Sequence, residues 1–172
     1  MTIIVEDGSI VTNANSYVSI ADVTTYAENY GYLTTWSGTT VTDTIREQSL
    51  LRAMRYIEGL SWRGKRQTQD QGLEFPRSEL YDDSNYLLAD NTVPTKVANA
   101  VCEAVILSLP DSTIDLQAPT TKDDYKTGVR VQGAVQETWF TGGKPIRSKS
   151  TIIEDMLKGY LKNKIIVEIK RG

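Results

Sequence analysis

The sequence predicts a mainly α fold, a small helical bundle with an N-terminal β-hairpin and a C-terminal arm that holds short strands and one amphipathic helix. Three observations predict it. Two early segments carry capping patterns followed by apolar residues at helical spacing. Residues 97–109 are apolar on nearly every side, which suits a helix at the centre of a bundle. After the central helix a polar, turn-rich stretch, PDSTIDLQAPTTKDDYKTG, reads as a linker or extended crossing, and beyond it Val129, Val131 and Val135 alternate with the period of a strand. A chain of 172 residues suits one domain with an appended arm, so a helical core is expected over residues 1–117 and an arm over residues 118–172. Folding at this length buries roughly 70 % of the unfolded surface, so no disulfide or metal is needed to hold a core.

The elements follow in order. Asp7-Gly8 between two β-prone runs predicts the hairpin turn, because such a pair accepts positive φ. Ser19 and Asp22 fit a capping box for a first helix, with Ile20, Val23, Ala27 and Tyr30 on one stripe and Gly31 as its stop. Residues 31–40 read as a loop carrying Tyr32 and Trp36. A second helix is expected from Thr42 or Thr44 to Glu58, with Leu50, Ala53, Met54 and Ile57 inward and Gly59 at its end. Residues 61–78, SWRGKRQTQDQGLEFPRS, have neither helical nor strand rhythm, and residues 79–93 form a further loop. Pro94 fits the first position of a central helix that Pro110 ends. Val129, Val131 and Val135 alternate, which predicts one or two strands bent at Gly133. Thr151 and Glu154 open a short helix with Ile153, Met156, Leu157, Tyr160 and Leu161 on one side. Near the end of the sequence IIVEIK reads as a strand with no local segment to pair with.

Composition removes several function classes. With 40 % hydrophobic and 24 % charged residues the chain is neither a disordered nor a membrane protein. No apolar run approaches the roughly 20 residues that span a bilayer, and the N-terminus lacks the pattern of a signal peptide, so a cytosolic location and no membrane partner are expected. There is no histidine and one cysteine, Cys102, set among apolar neighbours. Histidine-dependent nucleophiles and most transition-metal sites are thereby removed, and neither catalysis nor a cofactor is expected. The acidic pairs in YDDSNY and TKDDY lack calcium-loop spacing and read as exposed turns, while TGGKP is too short to wrap a phosphate.

One segment stands apart. In WRGKRQ, Arg63, Lys65 and Arg66 are placed to meet phosphates while Trp62 stacks on a base. The competing reading has Trp62 plugging the bundle and Gly64 permitting a sharp turn, with the cations toward water or a neighbouring chain. A net charge of −3 favours the second, because duplex binders are usually basic.

The order of motifs is informative as a set. ANSYVS opens a helix, then come WRGKR, QGLEFPR, VPTKVANAVCEAV and KTGVRVQGAV. Over residues 13–137 this resembles the head-tail connector, or adaptor, proteins of tailed bacteriophages, a grouping partly labelled DnaT-like single-stranded-DNA-binding. Phe75 stands where that grouping usually has tryptophan before Pro-Arg. The resemblance implies a helical subunit without a catalytic centre, at the neck of the virion and in host cytoplasm before assembly. Twelve copies would form a ring beneath the portal, contact a tail-side stopper or completion protein, and leave a channel through which genomic DNA passes without specific binding.

Residues of this chain are then assigned to those tasks. Arg63, Arg66, Arg77 and Trp36 are expected at the subunit interface, with the arginines offered to carboxylates of an adjoining copy. Trp62, Gly64, Phe75 and Pro76 are expected to anchor the loop to the bundle. Ile165, Ile166, Val167, Ile169 and Lys170 are expected to dock on portal by adding a strand to its sheet. The alternative is a single-stranded-DNA-binding accessory protein of replication, and a tail-completion factor lower in the neck is a third reading.

Overall fold

The computed structural model describes residues 2–110, 126–131, 135–139 and 151–162. Helix α1 (Ile20–Tyr30) begins at a complete capping box, in which Ser19 and Asp22 satisfy one another's backbone N–H groups, and Gly31 closes it at φ 78°. A single turn, α2 (Leu33–Trp36), follows within the stretch read from sequence as loop. Helix α3 (Asp43–Glu58) takes the first of the two expected starts, with Thr42 as its cap: the Thr42 hydroxyl accepts from the Ile45 N–H at 3.3 Å. Gly59 ends α3 with ordinary right-handed angles, so its special freedom is not used there.

Two short strands come next, β1 (Lys65–Arg66) and β2 (Arg77–Ser78), paired antiparallel as Lys65↔Ser78 and Arg66↔Arg77. Helix α4 (Thr95–Leu107) is capped by Pro94, whose carbonyl accepts from Val97 and Ala98, so the proline stands one place before the helix. Strands β3 (Lys126–Val131) and β4 (Val135–Trp139) form a second antiparallel pair, closing at Val131↔Val135. Helix α5 (Thr151–Leu157) runs into a 3-10 turn at Lys158–Tyr160. Gly133 and the terminal IIVEIK run lie outside the described residues.

The fold is mainly helical, and α4 is its axis. Val97, Ala100, Val101, Ala104, Val105 and Ile106 are all buried, as α1, α3 and α5 pack around it. Each large aliphatic side chain removed from water contributes about 1.5–3 kcal/mol before entropy is counted. Glu103 is buried in this same helix. Its carboxylate accepts from the Tyr26 hydroxyl at 2.9 Å and the Tyr32 hydroxyl at 3.2 Å, so the charge sits among donors. Ile153, Leu157 and Tyr160 are buried too, so the part of the expected arm at residues 151–162 is packed into the core.

The expected N-terminal hairpin is corrected. Instead of two paired strands there is a single parallel bridge, Val5↔Ser16. The cause is the buried Glu6 carboxylate, which accepts from the Gly8, Ile10 and Val11 N–H groups at 2.8, 2.9 and 2.8 Å. Those amides, needed for a ladder, are committed to the side chain. Gly8 has φ 104° and lies so close to residue 91 that an added Cβ would meet the Asn91 carbonyl oxygen at 2.1 Å.

Candidate interaction surface

The loop of residues 61–78 is built around its two rings. Trp62 is 2 % exposed and Phe75 is 1 % exposed, and they meet edge to face with centroids 4.9 Å apart. Tyr17 meets Phe75 the same way at 5.8 Å, and its hydroxyl accepts from the Phe75 N–H at 3.0 Å. Pro76 is fully buried behind a cis peptide bond to Phe75. Gly64 has φ 68°, and a Cβ there would come within 2.5 Å of the Ser78 carbonyl oxygen. Glycine is required on both counts.

Beneath the rings lies a polar knot. The Tyr17 hydroxyl donates to the Glu58 carboxylate, whose second oxygen accepts from the Glu74 N–H at 2.8 Å. Burial pushes the Glu58 carboxyl above its ordinary value, against the opposing pull of Tyr17 and of the Glu74 amide. Burial and Glu58 together push the Tyr17 hydroxyl up as well.

Arg77 overturns one expectation. It is 6 % exposed and turned inward, where Nε donates to the Arg63 carbonyl at 2.7 Å and Nη2 to the Gly64 carbonyl at 3.0 Å. Nη1 donates to the Glu74 carbonyl at 3.1 Å and also pairs with the Glu74 carboxylate. A guanidinium spent on its own loop has no reach to a neighbouring subunit. Trp36 is likewise corrected from an interface ring to a core ring: it is 1 % exposed, and Nε1 donates to the Thr24 hydroxyl at 2.9 Å. The Arg46 guanidinium lies 5.2 Å from its ring centroid.

Arg63, Lys65 and Arg66 are exposed. Arg63 donates to the Gly159 carbonyl at 3.1 Å, Arg66 to the Gln69 and Gln71 carbonyls at 3.0 and 3.3 Å, and Lys65 pairs with Glu79 at 2.7 Å. The chain after α5 joins this edge. The Arg63 N–H donates to Tyr160 and the Lys162 N–H to Ser61, both at 2.8 Å, so Trp62 and Leu161 form an antiparallel bridge. Ile165, Ile166, Val167, Ile169 and Lys170 lie outside the described residues.

A loop pinned in this way, on a helical bundle with an acidic balance, can be set beside known proteins. A family model described as "Putative DnaT-like ssDNA binding protein" matches residues 1–172. The chain belongs to this DnaT-like family. No curated protein and no solved structure matches it.

In this DnaT-like chain the exposed rings among the described residues are Tyr30, Tyr81 and Tyr86, and none belongs to the loop of residues 61–78. Residues 79–90 form a finger closed by the bridge Tyr81↔Leu87, with the Asp82 carboxylate accepting from the Ser84 and Tyr86 N–H groups, each at 2.8 Å. Tyr86 is 72 % exposed and Leu87 63 %, and Tyr81 is also outward. Sequence reasoning treated this stretch as an acidic turn and missed its apolar tip. The signal was present in the two tyrosines and Leu87, which a solvated turn does not need. Within the turn of the finger, Asp83 pairs with Lys96 at 3.0 Å and lies against Gly159.

A groove of about 440 Å³ runs between α1 and α4, with Tyr17, Tyr26 and Tyr30 in its wall. Cys102 also lines it, and burial pushes its thiol up to about 12, which keeps it protonated and unreactive near neutrality. Among the described residues no cluster of three or more metal-ligating side chains occurs, and no helix is long and apolar enough to cross a membrane.

Proposed function

We propose that the protein is a non-catalytic assembly subunit, the head-tail connector of a tailed phage. It forms a ring beneath the portal, joins capsid to tail, and leaves a channel for DNA. The resemblance over residues 13–137 supplies the place in the virion. One observation carries assembly over strand binding: the rings of the cationic loop face the core, while two exposed rings, Tyr81 and Tyr86, sit on a finger whose charges are all acidic. Single-strand binding needs bases stacked on exposed rings beside cations. Protein interfaces favour exposed tyrosines with an apolar neighbour.

The portal contact is assigned to residues 165–170, whose β-branched, apolar run suits strand addition. Lys162 is held to Ser61, so a partner that grips the residues just beyond pulls on the loop through the same ladder. No cofactor enters this reading. The tail-side partner is a stopper or completion protein.

The second reading, a single-stranded-DNA-binding protein, is favoured by the description of the family. Native mass measurement separates the two. A connector forms a ring by itself or on addition of purified portal, and ignores oligonucleotides at physiological salt. A monomer that disregards portal and grips single strands overturns the proposal.

A further inference from the structure

The outer face of α3 carries a feature the loop does not explain. Thr44, Gln48, Arg52 and Arg55 recur at spacings that bring them to one side of the helix, and all four are exposed. Arg46, at the start of the helix, is paired with Asp43 at 2.8 Å. Arg52 and Arg55 form no ion pair or hydrogen bond with any described residue. They are cations held on a helix without an acidic partner among the described residues.

The finger of residues 79–90 is the complement. Glu79, Asp82, Asp83 and Asp90 are its charges, and it contains no cation. Glu79 and Asp83 are answered from their own chain by Lys65 and Lys96, whereas Asp90 is exposed and has no cationic partner among the described residues. Tyr86 and Leu87 stand above these carboxylates as an apolar tip. The Asp82 cap and the Asp83–Lys96 pair hold the tip in shape, so docking orders little that is not already ordered.

We infer that the finger of one copy docks on the Arg52/Arg55 face of α3 in a second copy. This rests on the assembly reading and names its surfaces. The two patches are different and opposite in charge, which is what a head-to-tail contact needs and a self-complementary dimer does not. Opposite fields steer the encounter and reject the wrong register, in which finger meets finger. Tyr86 and Leu87 cover the aliphatic stems of the two arginines and remove water from the charged contacts.

The test uses the full chain and two double variants that change charge at exposed side chains. One variant is Arg52→Glu with Arg55→Glu, and the other is Ser84→Arg with Asp90→Arg. Thermal melts confirm that both fold, and sedimentation with native mass measurement reads assembly. Wild type is expected to assemble, more weakly as salt rises, and each variant alone to associate at least tenfold more weakly. An equal mixture of the two variants should recover assembly, because the two arginines added to one finger then meet the two glutamates placed on the other copy's helix face. Assembly that persists in both variants removes this interface and leaves the ring reading standing. Variants that fail alone and stay apart when mixed also remove it. A wild-type chain that remains monomeric, alone and with portal, removes the ring reading together with the interface.

Discussion

Arg77 shows how one side chain fixes a loop. Its guanidinium donates to the carbonyls of Arg63, Gly64 and Glu74, three acceptors that the curve of the loop brings to one point. Arg77→Ala leaves them without a partner in a dry site and strips Glu74 of its counter-charge, so stability falls by roughly 2–4 kcal/mol. Urea denaturation measures this. Arg77→Lys recovers little, since an ammonium cannot present a fork to separated carbonyls. Glu58 supplies a pH dependence from the same knot. Its carboxyl is raised above 4.5 by burial, so its protonated form is favoured in the fold. That contribution is complete below about pH 4.5 and is lost as pH rises through the raised value. The melting temperature of Glu58→Gln should therefore lack a decline, seen in wild type, across the mildly acidic range. The sequence made Arg77 visible but not its direction. Pro-Arg at the end of a loop reads the same whether the guanidinium meets a neighbour's carboxylate or its own chain's carbonyls, because main-chain acceptors leave no mark in sequence. Trp36 misled for a related reason: its four-residue helix is too short to show a period.

Helix α5 carries the largest change at the level of elements. Ile153 and Leu157, one turn apart, put a fully buried pair against α4, and the ladder from Tyr160 to Lys162 then seals the opening of the loop. An expected arm has thereby supplied part of the core. Leu157→Ala removes a side chain with no exposure and should cost about 2–5 kcal/mol, the range for such a cavity. Chemical denaturation reads the loss, and hydrogen exchange should show the Arg63 amide losing protection with it, since its acceptor is the Tyr160 carbonyl. A peripheral appendage would show neither effect. The helices were legible because capping boxes and apolar stripes are local: Ser19, Asp22 and Gly31 state the bounds of α1 without reference to the rest of the chain. The pairing of β1 with β2 was not legible. Two-residue strands have no alternation to read, and what joins them is Gly64 and the buried Phe75-Pro76 unit.

Across the whole molecule the decisive point is that the cationic loop offers no exposed ring. The net charge of −3 is not spread evenly, since the finger is wholly acidic while β1 and the outer face of α3 are basic. If the loop did meet a single strand, Arg63, Lys65 and Arg66 are the cations it could bring. Three neutralised phosphates give a salt slope near −2 for a single strand, about a twentyfold loss between roughly 50 and 200 mM. Stacking would have to supply the remainder, at ~1–3 kcal/mol per base, and the loop has no ring free to give it, with Trp62 and Phe75 at 2 % and 1 % exposure. Fluorescence anisotropy with a labelled oligonucleotide, titrated across salt, should therefore show weak binding at low salt that fades by physiological salt. Arg63→Ala with Arg66→Ala should flatten what slope remains. A slope well beyond −2, or tight binding at physiological salt, would recruit cations outside the loop and put strand binding ahead of assembly. That outcome would leave the buried rings as scaffold and move the search for the bases to Tyr30, Tyr81 and Tyr86, the exposed rings among the described residues.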